Sequence, residues 1–491
     1  MLQDKYIKNL NEIKDFFTKG EKAGDTILDF YQNFFNTSIT REINSIKKRG
    51  YKSKDIFLEL LLLPFYSVSS IRALILSGID KITDAEKDAY YRFKNRSDID
   101  WRKLQRNMVK RFIKLSEKHG DEFTNGLKCF IVDDTTLEKS GKKIEFIGKV
   151  YDHVKGRMVL GFKMLLVGYW DGTSFIPLDN SLHSEKGKNK KRPYGLSRKE
   201  LSARYHKKRE SWSAGSKRTR ELTSNKISNA VKMIKRAVKN GLKANYVLVD
   251  KWFMSENFIS DIRKIKKGIL DIVGLCKMDK RKYVYNGEEY TAKQLLHLRK
   301  KYSKRSRKIN ARYIEIDVKY KEIKLKLFFS RYSKRGKWQL LVTTDLSLSY
   351  NKTVEIYNIR WSIEVYFKES KQYLNLGRSE SNDFDGQIAD ATISMIQYIV
   401  MSLNKRFSSY ETMGELFRES KNELMELTIV NRIWKTFIVL QQKIVEMFEL
   451  EIDMDVVYRK MINDEKQGKI LILLLENVNR LSDEKCVNNA A

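Results

Sequence analysis

Proline is nearly absent from this sequence, with three residues in 491. A proline-rich linker is therefore excluded, and no serine-rich spacer replaces one, so domain boundaries have to be read from changes of pattern. Cysteine is equally scarce. Cys129, Cys276 and Cys486 are far apart and odd in number, which argues against a disulfide framework or a zinc knuckle and points to reduced thiols in a cytoplasmic protein. The five histidines are scattered, and none stands at ligand spacing from another His or a Cys. Any metal would have to be a hard one held by carboxylates. Long apolar runs are missing too. The most apolar stretch, IFLELLLLPFYSVSSIRALIL, is broken by Glu59, Pro64 and Arg72, which makes it a poor membrane span and a better pair of core helices. MLQDKYIKNLNEIKDFF carries charges throughout and lacks the apolar segment of a signal peptide.

What the chain has in excess is positive charge. Lys and Arg number 96 against 62 acids, a formal charge of +34, while hydrophobic residues make up 42% and aromatics 11%. That composition folds, and a compact body with this much like charge calls for a polyanionic partner. Nucleic acid is the first candidate and a membrane surface the second.

Apolar residues recur at steps of three and four over residues 1–125, which reads as helical. Here KDIFLELLLL and SVSSIRALILSG form two helices around Pro64-Phe65, compatible with a helix-turn-helix or a plain bundle, and DWRKLQRNMVKRFIKLSEKHG is a basic amphipathic helix. From Leu127 the texture changes. LKCFIVDDTT is a short apolar run ending in acids, followed by two strands, GRMVLGFKMLLVGYWDG and TSFIPLDNSLH, joined at Asp171-Gly172. The basic stretch from Glu185 to Arg220 has no apolar period and reads as a mobile loop, with Tyr194, Tyr205 and Trp212 interleaved among cations as in nucleic-acid contacts. A serine-capped helix, SNKISNAVKMIKRAVKNG, leads to the buried strand KANYVLVD, a helix SENFISDIRKI and a strand GILDIVGLCK. Residues 281–336 turn β-rich and interrupt this alternation, and KWQLLVTTD adds one more strand. Helices follow to the end, including a long one expected over 428–450.

Carboxylates close two of these strands, Asp133-Asp134 and Asp250, and a third lies on the helix after the last strand, Glu364. Strand ends at the carboxyl edge of an α/β sheet are the usual place for a site. Two Asp and one Glu in one place repel one another unless cations join them. Two divalent ions about 3.5–4 Å apart would serve, activating a hydroxyl on one side and stabilising a leaving oxygen on the other. On the Glu helix, Tyr357, Arg360, Glu364, Lys368 and Lys371 share one stripe, beside a buried stripe of Ile356, Ile363, Phe367 and Leu374.

Tyr357, Arg360, Glu364 and Lys371 fit Tyr-x2-Arg-x3-Glu-x6-Lys, and with FIVDDTTLEK and YVLVDKWF in order the chain resembles the bacterial insertion-sequence DDE transposases, more narrowly the insertion-sequence 4 group. The resemblance covers roughly residues 125–400. It implies an α/β fold with a ribonuclease-H-like mixed sheet, interrupted by a β-rich insertion, between helical N- and C-terminal regions. The corresponding segments are 1–125 for end binding, 126–280 and 337–400 for the catalytic core, 281–336 for the insertion, and 401–491 as a helical region for dimerisation. Asp134, Asp250 and Glu364 would be the triad holding two Mg²⁺ (or Mn²⁺), with Asp134 chosen by its Asp-Thr match and Asp133 its rival, since a regular strand cannot send both into one site. Tyr357, Arg360, Lys371 and Lys368 would hold phosphates of double-stranded DNA, and Trp361 and Trp252 are candidates for stacking on an unpaired base or for core packing. Lys251 departs from the small or polar residue found there in many relatives. The activity implied is cleavage of the inverted-repeat ends and their joining to target DNA by a homodimer. The alternatives are an inactive transposase-derived DNA binder and a structure-specific nuclease.

Overall fold

The computed structural model describes residues 27–425 apart from 69, 80 and 119–125, together with residues 440 and 447. Apart from residues 440 and 447, the helix expected over 428–450 lies outside the described residues, as do the first 26 residues, most of the 401–491 region expected to dimerise, and Cys486.

Two compact units arise. The larger comprises 37–61 and 85–416; the described part of the other comes from 27–36, 62–84 and 417–425 with 440 and 447. In the smaller unit a 3-10 turn at Leu63–Tyr66 carries Pro64, and the helix Ile71–Leu76 starts on Ser70, whose hydroxyl accepts the Ala73 amide at 3.2 Å. The Ser run before IRALIL is thus a helix cap, as its sequence reads.

In the larger unit the described residues place twelve strands in one sheet. They are β1 (Cys129–Glu138), β2 (Gly148–Asp152), β3 (Arg157–Trp170), β4 (Phe175–His183), β5 (Tyr246–Val249), β6 (Asp271–Cys276), β7 (Lys282–Tyr285), β8 (Glu288–Thr291), β9 (Lys304–Ser306), β10 (Ala311–Tyr320), β11 (Ile323–Arg331) and β12 (Gln339–Thr343). One half runs β4-β3-β1-β5-β6, with β1, β5 and β6 parallel and β3 antiparallel to each of its partners β1, β2 and β4. Phe130, Ile131, Val132, Val247, Leu248 and Val249 are wholly buried. Such continuous apolar runs are what parallel strands covered on both faces require. The other half, β12-β11-β10 with β7, β8 and β9, is antiparallel and joins through β12 on β6. This is the β-rich stretch seen in the sequence, with one helix, Ala292–Arg299, that its pattern did not show.

Five helices position the site. They are α1 (Lys226–Lys239), α2 (Glu256–Arg263), α3 (Tyr350–Asn358), α4 (Trp361–Tyr373) and α5 (Phe384–Phe407). Helix α1 buries Ala230, Val231, Met233, Ile234 and Val238, a stripe at three- and four-residue steps. Its cap is Asn225, whose side chain accepts the Ile227 and Ser228 amides, rather than the serine before it.

Three further elements differ from the sequence reading. Strand β2 pairs with β3 although its segment carries no alternation that announces it. The basic stretch is ordered into helices Arg198–Ser202 and Ala214–Glu221, because Lys207 and Arg209 enter a buried ion cluster and Arg218 is itself buried. The Glu helix is two helices. Between α3 and α4 the Ile359, Arg360, Ser362 and Ile363 amides all bond three residues back, so the chain tightens into a 3-10 turn at Arg360.

Candidate active site

Strand β1 does not stop at its acids. It pairs with β3 over its full length, from Cys129↔Trp170 to Glu138↔Gly161, but with β5 only as far as Val132↔Val249. Asp133 and Asp250 are therefore the next residues of two parallel strands in register, at the point where their ladder opens. In-register residues share a face, and the following residue takes the opposite one. The side chains obey this rule. Arg360 donates from Nη1 to Asp133 Oδ2 at 3.1 Å and from Nη2 to Glu364 Oε1 at 2.5 Å, bridging strand and helix. Asp134 instead meets Lys226 Nζ at 2.8 Å and the buried Lys163 Nζ at 3.7 Å. Asp133, and not the Asp134 of the sequence expectation, is the strand acid that Arg360 links to Glu364. Pleat parity sends the two acids to opposite faces of β1.

Around this bridge the signature stripe closes on β1. The Arg360 guanidinium lies 5.5 Å from the Tyr357 ring centroid, and Lys371 Nζ donates to Thr135 Oγ1 at 2.7 Å. Thr135 is two residues beyond Asp133 and shares its face. Ile363 and Phe367 anchor the helix from behind. Lys368 is exposed and stands outside the bridge, and Trp361 is 62% exposed. Trp252 is 45% exposed, with Lys226 Nζ 4.6 Å from its ring centroid. Neither tryptophan packs in the core. Lys251 is exposed beside Asp250.

Electrostatics follow the burial. Desolvation pushes the Asp133 carboxyl up to about 7; Asp134 and Asp250 push the same way, against the Asp134 amide and Arg360. Burial likewise raises the Tyr357 hydroxyl to about 12 and lowers Lys371. For Arg360 burial works downward, but Tyr357, Glu364 and Asp133 outweigh it and leave the guanidinium more firmly charged than usual. The residues that sequence reading passed over are Lys226 and Lys163. Their distance from Asp134 along the chain leaves no local pattern; only the parity of β1 against β3 could have paired Lys163 with it.

Among the described residues no three His, Cys, Asp or Glu side chains stand close enough to share one ion. Arg360 lies between two of the acids instead. The donor types, Asp133, Asp250 and Glu364, suit a hard divalent cation, and a carboxyl raised by burial beside other acids is a place that gains from added positive charge.

Acids where parallel strands end, in a large mixed sheet flanked by helices, define the general class as a mixed α/β protein. Comparison with known families makes it specific. Residues 59–266 match the family described as DDE superfamily endonuclease, and residues 221–400 match the transposase DDE domain. The first match spans Asp133, Asp134 and Asp250; the second spans Asp250 and the whole Tyr357–Lys371 stripe. Together they support a DDE transposase or endonuclease, for which DNA is the implied substrate. No curated protein matches the chain. Among the described residues no helix is long and apolar enough to cross a membrane.

Proposed function

We propose that this protein is a DDE transposase of the insertion-sequence 4 type, which cleaves the inverted-repeat ends of its own element and joins them to target DNA. The observation that carries the reading is the Arg360 bridge between Asp133 and Glu364, beside Asp250 in register. The strand order β4-β3-β1-β5-β6 supports a ribonuclease-H-like core. Asp133, Asp250 and Glu364 form the triad in this proposal, with Asp134 as the alternative first acid. Two Mg²⁺ held there, or Mn²⁺ in their place, would supply the Lewis acidity for hydrolysis and for transesterification by a 3′-hydroxyl. Tyr357, Arg360 and Lys371 position the phosphates next to the scissile bond, Lys368 extends the grip, and Trp252 and Trp361, being exposed, are available to stack on an unpaired base. In the described state Arg360 neutralises Asp133 and Glu364; with DNA bound it turns to phosphate and frees both acids. The protein acts as a homodimer in a cytoplasmic, nucleoid-associated setting. A nuclease with the same core is the second reading, favoured by the endonuclease match over 59–266.

The test is strand cleavage of a DNA carrying the element's own ends. Cleavage is expected with Mg²⁺, none with EDTA, and strand transfer separates the transposase from the nuclease. Tight binding with no cleavage in either Mg²⁺ or Mn²⁺ would favour an inactive DNA binder. Arg360→Ala is expected to weaken end binding and to flatten its dependence on salt by about one unit of log–log slope, the value for one lost phosphate contact. An unchanged slope would take Arg360 off the phosphate.

A further inference from the structure

The antiparallel half of the sheet carries a row of like charges. Arg312 of β10 pairs in register with Arg305 of β9 on one side and with Arg331 of β11 on the other. At about 4.8 Å between strands the three guanidinium stems stand abreast over about 10 Å. The next position across is Trp338, whose ring centroid lies 5.0 Å from the Arg331 guanidinium. Arg305 and Arg312 are exposed, and Arg331 is half-buried. Like charges directly opposite one another in a sheet destabilise it. Nearby cations have that cost relieved: Lys326 meets Glu315 at 3.2 Å, Lys319 meets Glu322 at 3.3 Å, and Lys308 meets Glu355. None of the three arginines is in an ion pair among the described residues.

We infer that this arginine row is a second DNA-docking surface, one that grips the phosphate backbone of the duplex leading away from the catalytic site. The inference rests on the reading of DNA as substrate. Three guanidinium groups on neighbouring strands, with no acid partner among the described residues, form a cation row that a phosphate backbone can neutralise, and guanidinium matches phosphate geometry bidentately. On the opposite face of the same strands Tyr313 stacks on Tyr350 at 4.2 Å and 7°. Tyr350 opens α3, and the ten residues from it to Arg360 cover about 15 Å at helical rise. Helix α3 thus ties this half of the sheet to the Arg360 end of the site. This half of the sheet then serves to hold DNA in register, and the repulsion built into it is relieved only when the nucleic acid is bound.

The experiment uses the full chain and a fluorescent 30-base-pair duplex of arbitrary sequence, without divalent ions, titrated between 50 and 300 mM NaCl. Arg305→Gln/Arg312→Gln/Arg331→Gln is expected to weaken binding at least tenfold at 150 mM and to lower the log–log salt slope by about two to three, at about 0.9 per phosphate contact. Arg312→Gln alone lowers it by about one. Thermal stability of the triple variant should match or exceed wild type, since opposed charges are removed. Lys142→Gln/Lys155→Gln/Lys264→Gln removes the same charge from exposed lysines outside this half of the sheet and should cost less than threefold. Wild-type slopes in the arginine variants would overturn the inference, as would an equal loss in the lysine control. A wild-type protein that binds no duplex at all would instead sink the DNA reading beneath it.

Discussion

Asp133→Asn is expected to abolish metal-dependent strand cleavage, by at least about a thousandfold, while Asp134→Asn keeps it within about tenfold of wild type. The magnitude follows from the stabilisation that a carboxylate-held cation gives to a phosphoryl transition state, several kcal/mol, of which about 4 corresponds to three decades in rate. Glu364→Gln is expected to fall as far as Asp133→Asn, with DNA binding left nearly intact. Stability should move the opposite way from activity. Burial holds the Asp133 carboxyl up at about 7, above its range in an unfolded chain. Its ionised form is therefore disfavoured by the fold, and above neutral pH that charge costs stability. An amide there removes the cost, so Asp133→Asn should melt at or above the wild-type temperature at pH 8. Asp134 is the countercharge of Lys226 and of the buried Lys163. Asp134→Asn strands that lysine and should lower the melting temperature. Cleavage of end-labelled DNA alongside a thermal melt reads both effects. The reverse pattern, activity lost with Asp134 and kept without Asp133, would return the first acid to the residue before Thr135.

The two strand acids show how far a sequence can be read. FIVDD and VLVD both announce apolar strands that run into acids, and both are buried parallel strands. Counting from the apolar run, the first acid in each, Asp133 and Asp250, makes the in-register pair. That count was available from the sequence, but which strands are neighbours was not. The stripe Tyr357, Arg360, Glu364, Lys371 was legible because it is local, set by helical periodicity alone. Its break into α3 and α4 was not, because Ile359 and Arg360 are ordinary helical residues and the i→i+3 tightening is decided by what Arg360 grips on β1. The basic stretch after β4 misled for a similar reason. Its charges look solvated when taken alone, and their acid partners, Glu145, Asp383 and Asp385, lie in other segments.

Removing one cation from that cluster is expected to give the largest loss of stability. Arg209 is 5% exposed and reaches Glu145 at 2.5 Å, Asp385 at 2.9 Å and Asp383 at 3.3 Å, acids that are themselves 1%, 3% and 5% exposed. Lys207 meets Asp383 and Asp385, each at 2.8 Å, and is the more open of the two cations at 21%. Two cations thus hold three buried carboxylates, at the start of α5 and against the basic stretch. Arg209→Met leaves three acids facing one lysine, and an unpaired buried charge of this kind costs roughly 3–5 kcal/mol. Lys207→Met should cost less, because Lys207 is itself partly exposed and Arg209 still meets all three acids. The penalty should also depend on pH in a definite direction. Burial, with Asp385 adding to it, raises the Asp383 carboxyl despite its bond to Lys207. With Arg209 gone its proton is held more tightly still, so acidification from pH 8 to pH 5 relieves the excess negative charge and narrows the gap between variant and wild type. Denaturant unfolding at the two pH values measures both quantities. A loss under about 1 kcal/mol, unchanged between them, would mean that the cluster behaves as a solvated surface network and that packing alone holds the basic stretch in place.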